Sequence, residues 1–177
     1  MTTDTSLRYP IGTFKRADSF TPQERIAALE GIRRLPQTLS AVVEPLSDPQ
    51  LDTPYRPGGW TVRQLVHHVA DSHMNAYNRV RLALTEDWPL IFAYQESRWA
   101  ELEDARTLPV SPSLDLLKAL HVRWVRLFES LVEPDWKRGY NHPENGRQSI
   151  EQALIIYDWH GRHHTAHVTA LSDRLSW

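Results

Sequence analysis

The sequence predicts an all-α protein, a four-helix bundle with long loops after helices 1, 2 and 3. Three observations lead there. Capping boxes at Thr21/Glu24, Thr61/Gln64 and Ser149/Gln152 each open a run of apolar residues spaced three and four apart. A fourth such run follows Ser111-Pro112, with proline at the start of a helix, where its missing N–H costs nothing. No segment carries a convincing strand pattern, and no short repeat is present. With 177 residues the chain is long enough for one full core and short for two, so one domain over 1–177 is expected.

Residues 1–20 carry few periodic signals, and Tyr9-Pro10-Ile11-Gly12 reads as an extended N-terminal arm packed onto the body. The first helix opens at Thr21-Pro22 and buries Ile26, Leu29, Ile32, Leu35, Leu39, Val42 and Leu46; Pro36 is expected to kink or break it. A loop over 47–59 follows, rich in proline and ending in Gly58-Gly59. The second helix runs from Thr61 to about Leu84, on a stripe of Val62, Leu65, Val66, Val69, Ala76, Val80 and Ala83. Beside that stripe lies His68, three residues after Leu65, whereas His67 shares the polar side with Arg63, Gln64, Asp71 and Met74. Residues 85–110 form an irregular connection with a short helix around 94–102, long enough to cover a pocket. The third helix buries Leu114, Leu117, Leu120, Trp124, Leu127 and Leu131 and is bounded by Pro134. Residues 136–147 read as a loop with a tight turn at Asn145-Gly146. On the fourth helix the apolar stripe is Ala153, Ile156 or Tyr157, His160, His164, His167 or Val168, Leu171 and Leu175, so histidines sit inside it.

Composition narrows the function. Twenty Lys and Arg against 22 Asp and Glu give a net charge of -2, with no basic run to hold a phosphate backbone, so nucleic acid is not an expected partner. There is no cysteine, which excludes disulfides, thiolate ligands and a cysteine nucleophile. The start of the chain lacks a secretory pattern and no apolar run approaches the roughly 20 residues of a membrane span, so a soluble, cytoplasmic protein is expected. No glycine-rich phosphate loop or nucleophile elbow is present.

Four of the nine histidines lie at 160, 163, 164 and 167. Residues four apart share a helix face, so His160 and His164 can aim at one point, and His163 and His167 form a second pair of the same spacing. Neutral imidazole is the commonest protein ligand for zinc, nickel and similar ions. If the second and fourth helices face each other, His68 completes a three-histidine centre with one coordination position open, the pattern of catalytic rather than structural sites. His67 reads as a solvated or outer hydrogen-bonding histidine. His163 and His167 are candidates to orient ligands or move protons, and His73 and Asp71, within about a turn of His68, are candidates to hydrogen-bond a ligand from behind, although a solvated polar face explains them almost as well. His121 and His142 carry no usable pattern. Of the aromatic residues, Trp88 and Tyr94 are assigned to a substrate pocket because they sit on the long connection, whereas Trp99, Trp124 and Trp159 read as core.

The run from Thr53 through Trp60-Thr61-Val62-Arg63-Gln64-Leu65-Val66-His67-His68, then Ala70-Asp71-Ser72-His73, and later Trp159-His160-Gly161-Arg162-His163-His164-Thr165-Ala166-His167, resembles the YfiT branch of the DinB/YfiT-like superfamily. The likeness extends from Tyr9-Pro10-Ile11-Gly12 to the end. In that family a histidine eight positions after the tryptophan and two histidines four apart on the last helix bind a divalent ion within a four-helix bundle. The resemblance therefore implies His68, His160 and His164 as metal ligands. It also implies a homodimer, and a place among enzymes that use low-molecular-weight thiols such as bacillithiol or mycothiol, or among metal-dependent hydrolases.

The expectation is thus a metal-dependent enzyme with one zinc or nickel ion per chain and a small-molecule substrate. Low-molecular-weight thiol S-transfer is the first reading. Hydrolysis, or a non-catalytic dimeric metal-binding stress-response protein, is the alternative.

Overall fold

The computed structural model describes residues 4–177, so the first three residues of the expected arm lie outside the described residues. The remainder of the arm is not wholly extended. It begins with α1 (Asp4–Arg8), after which Gly12, at φ +79°, donates its N–H to the Tyr9 carbonyl (3.0 Å) and turns the chain.

Helix α2 (Pro22–Val43) starts at the Thr21/Glu24 capping box. It runs unbroken through Pro36, against the expectation of a kink or break. A prolyl nitrogen has no hydrogen, so the Ile32 carbonyl loses its usual helical donor. His121 Nδ1, from a neighbouring helix, replaces it at 2.6 Å. Ile26, placed on the buried stripe, is instead 68% exposed. The loop that follows contains α3 (Asp48–Leu51).

Helix α4 (Val62–Thr85) opens at the Thr61/Gln64 box. The long connection holds two short helices, α5 (Glu96–Trp99) and α6 (Glu103–Thr107), before α7 (Ser111–Glu129) and α8 (Glu133–Trp136). A hairpin then corrects the expectation of no strand: β1 (Gly139–His142) pairs antiparallel with β2 (Gly146–Ser149), Tyr140 opposite Gln148. Each strand has four residues and Tyr140 is the one large apolar side chain between them, too little for an alternation to show in sequence. The turn itself was signalled, since Gly146 adopts φ +71° after Asn145. Ser149 ends β2 and caps α9 (Ile150–Leu175).

The long helices α2, α4, α7 and α9 make the bundle. Both α2 and α4 lie against α7 and α9, so α2 and α4 occupy opposite corners. Apolar burial is divided between two clusters. One gathers Ile32, Val80, Trp124, Phe128 and Leu154; the other gathers Leu35, Leu39, Val66, Leu117 and Leu171. Burying each such side chain contributes about 1.5–3 kcal/mol. Between the clusters α4 passes through His73, α7 through His121 and α9 through His160, so histidines cross the middle of the bundle.

Close approach of α2 to α9 depends on two glycines. A Cβ on Gly161 would come within 2.6 Å of Leu35 Cδ2, and one on Gly31 would overlap Asp158 Oδ1. Gly161 thereby sets the depth at which the flanking histidines of α9 are seated.

Candidate metal centre

Packing of α4 against α9 brings His68 opposite His160 and His164, one turn apart on α9. Their candidate ligand nitrogens all lie within 4.8 Å of one another, and His68 Nε2 is 3.2 Å from His160 Nε2. Two nitrogens at about 2.0–2.1 Å from one tetrahedral ion stand roughly 3.3–3.4 Å apart, so the spacing fits such an ion. Donor chemistry fits as well. Burial holds the His68 pKa down at about 4 and those of His160 and His164 well below the usual value for histidine, the neighbouring imidazoles of the last two adding to the effect. These rings are neutral at pH 7 and offer lone pairs. Among the described residues, this is the one group of three or more His, Cys, Asp or Glu side chains with such convergence.

Behind His160 runs a chain of hydrogen bonds that the sequence did not disclose. His160 Nδ1 is 3.2 Å from His73 Nε2, His73 Nδ1 is 3.1 Å from His121 Nε2, and His121 Nδ1 meets the Ile32 carbonyl. Each of the four long helices supplies one member. Of the two readings open for His73, the structure matches the hydrogen-bonding one: the ring is fully buried and meets the candidate ligand His160 rather than His68, while His121 is 2% exposed. The one available signal was Pro36, whose presence inside a helix leaves the Ile32 carbonyl in need of a donor.

His67 is buried rather than solvated, and its hydrogen bonds go to α7 and the residues before it rather than to the three candidate ligands. Its Nε2–H donates to the Leu108 carbonyl (3.2 Å), and its Nδ1 accepts from the Ser113 hydroxyl (2.7 Å), which fastens α4 to the start of α7. The side of α4 that reads as polar is buried: Arg63, at 4% exposure, pairs with Asp48 and Asp52. Asp71 is partly buried, and desolvation raises its pKa to about 6; its backbone carbonyl accepts from Asn75.

His163 and His167 face the N-terminal arm. The His163 ring lies 4.4 Å from Trp159, nearly parallel to it, and 6.1 Å from Tyr9. The His167 ring packs at a tilt against Tyr55 (4.2 Å) and donates through Nε2 to the Arg8 carbonyl (3.1 Å). Burial lowers both pKa values to about 4.

The three candidate ligands open into a cavity of about 350 Å³, lined also by Trp60, Ser72, Arg79, Glu96, His142, Tyr157 and Trp159. Arg79 is 9% exposed and donates to the Phe92 carbonyl and the Tyr157 hydroxyl. It lies 11 residues along α4 from His68, about 16 Å by helical rise. Tyr94 lines the adjoining cavity beside Arg79, as expected of the long connection. Trp88 does not line either cavity; it packs beneath the Arg147 guanidinium at 4.4 Å, under the hairpin. Trp159, a core aromatic by its spacing, lines the candidate site instead. A second cavity of about 350 Å³ shares Trp60, His163 and His164 and adds Arg8, Tyr9, Tyr55 and Arg56.

Residues 32–168 match the family model of the DinB superfamily. A Bacillus mycoides (strain KBAB4) protein named "Putative metal-dependent hydrolase" is 51% identical over 171 residues, covering 97% of this chain and 98% of that protein. One of the same name from Bacillus cereus (strain 03BB102) is 52% identical over 171 residues, with the same coverage of 97% and 98%. Among solved structures, YfiT from Bacillus subtilis superposes with a TM-score of 0.94 at 47% identity, over 97% of this chain and 99% of that one. It is described as "a probable metal-dependent hydrolase with an unusual four-helix bundle topology". TT2238, a four-helix bundle protein, has a TM-score of 0.58 at 20% identity, over 82% of this chain and 98% of that one, a likeness of fold alone.

Proposed function

The chain belongs to the DinB superfamily, and from that premise we propose that it is a metal-dependent enzyme whose divalent ion is held by His68, His160 and His164. One observation carries this reading: three neutral imidazoles converge at the wall of an open cavity, in a spacing that suits a tetrahedral ion and leaves a coordination position for substrate. Zinc and nickel both suit such a donor set. A divalent ion there lowers the pKa of a thiol or water at its open position and so supplies a nucleophile at neutral pH.

The nucleophile in our reading is a low-molecular-weight thiol of the bacillithiol type, transferred to an electrophilic small molecule. Supporting this, the carboxylate lining the cavity is Glu96, which is engaged electrostatically by Arg79. Water attack would still call for a protein base to take the second proton as the new bond forms, whereas a thiol held by a bound ion would release its one proton to solvent through the open cavity and would call for none. Trp60, whose ring is 4.7 Å from His68, and Trp159 wall the approach. Arg79, deep in the same cavity, offers an anionic group on the substrate a fixed positive charge. A cytoplasmic homodimer accompanies this reading, on the strength of the family resemblance.

Hydrolysis is the second reading, favoured by the names of the relatives. His163, which lines the cavity and whose Nδ1 has no hydrogen-bond partner among the described residues, is then the group placed to accept a proton.

The test uses tag-free protein loaded with zinc or nickel. A bacillithiol-type thiol is mixed with a haloalkyl acceptor in one series, and esters and amides are offered in another. Metal-dependent thiol consumption that His68→Ala abolishes supports transfer; metal-dependent ester or amide cleavage supports hydrolysis. Unfolding on metal removal with neither activity would overturn both in favour of a structural ion.

A further inference from the structure

We propose that His73 and His121 are positioning residues that fix which nitrogen of His160 faces the metal site, with the Ile32 carbonyl, released by Pro36, setting the direction of the whole hydrogen-bond chain. This rests on the three-histidine reading above.

The argument is a count of protons. A carbonyl oxygen only accepts, so at 2.6 Å the proton of this contact belongs to His121 Nδ1. A neutral imidazole carries one N–H, which leaves His121 Nε2 as an acceptor. The 3.1 Å contact to His73 Nδ1 then takes its proton from His73, and the 3.2 Å contact from His73 Nε2 to His160 Nδ1 takes its proton from His160. Three contacts consume three protons from three imidazoles, and His160 Nε2 is left bare, facing His68. The opposite direction would set a bare His121 Nδ1 against the carbonyl oxygen, two lone pairs at 2.6 Å. No intrahelical N–H competes for Ile32, because residue 36 is proline.

The outcome is a ligand held in the correct tautomer and orientation before any ion arrives. Hydrogen bonds to the second nitrogen of a metal-binding histidine do this generally, and their loss costs roughly 10–100-fold in metal affinity. His164 supplies an internal contrast, since its Nδ1 is buried and without a hydrogen-bond partner among the described residues.

The experiment is a long-range 1H–15N correlation of metal-free protein labelled at histidine nitrogen, joined to zinc titration of wild type, His73→Phe, His73→Gln and His121→Phe. In wild type His160, His73 and His121 should all be Nδ1–H tautomers. His73→Phe should return His160 to a mixture of tautomers and weaken zinc roughly 10–100-fold. His73→Gln, whose amide oxygen can accept from His160, should restore most of both. His121→Phe should disturb the tautomer of His73 with a smaller loss of zinc affinity. An Nε2–H tautomer at His160 in wild type overturns the proposal, as does wild-type zinc affinity in a folded His73→Phe. Wild type that shows the expected tautomers yet binds no zinc overturns the three-histidine reading itself, so the two failures are distinguishable.

Discussion

Two pairs of histidines on α9 have the same spacing and different surroundings. The rings of His160 and His164 lie 4.5 Å apart, those of His163 and His167 4.3 Å apart, and the two pairs interleave along one helix. The 160/164 pair faces α4 and meets His68. The 163/167 pair faces the arm, meeting Tyr9, Tyr55 and the Arg8 carbonyl. Among the described residues no third His, Cys, Asp or Glu converges on it. Spacing thus provides half a site, and the facing element decides whether the other half exists.

Substitution of each pair breaks this comparison most directly. His68→Ala or His164→Ala should reduce a reconstituted content of about one divalent ion per chain to near zero, while His163→Ala and His167→Ala should keep it, as read by elemental analysis. Equal losses from both pairs would erase the distinction.

Acid sharpens it next. His68, His121, His163 and His167 are held at about 4 in the folded chain, below the ordinary 6.5, chiefly by burial. The unfolded chain takes up protons below 6.5 that the folded chain refuses. Stability should therefore be flat in pH above about 6.5 and fall by about 1.4 kcal/mol per pH unit per such histidine between about 6.5 and 4. Thermal melts of metal-free protein should show the slope, and His163→Ala should make it shallower. Added zinc should raise the melting temperature near pH 7 and lose that effect as the ligands protonate.

Gly161 lies between His160 and His163, and Gly161→Ala should push α9 off Leu35 at a cost of about 1–3 kcal/mol in urea unfolding. The smallest effect expected is that of His67→Ala: about 1–2 kcal/mol from the lost Ser113 and Leu108 bonds, with metal content unchanged.

Much of the frame was legible because local chemistry announces helix starts. Thr21, Thr61 and Ser149 each accept from the backbone N–H three residues on, as their capping boxes required. His68 was separable from His67 because helical phase places one of them beside the stripe. The phase argument failed for His67, since it presumes that a polar face meets water; here Arg63 is neutralised by two aspartates under the connecting loops. His73 was legible as a candidate partner behind a ligand, but its partner is His160 on another helix rather than the nearby His68. His121 was illegible for a different reason. Its partner is a backbone carbonyl 89 residues away, and no side-chain pattern encodes that.

The transverse histidines also bear on how the helices find their axial alignment. Apolar surfaces tolerate sliding, because leucine against leucine is much the same one turn up or down. A chain of directed hydrogen bonds with one anchor on each of four helices does not: a shift of any helix by about 5.4 Å would strand two buried imidazole or carbonyl groups at once. The middle of this bundle therefore acts as a key that admits one register, a task that in simpler helical assemblies falls to a single buried asparagine.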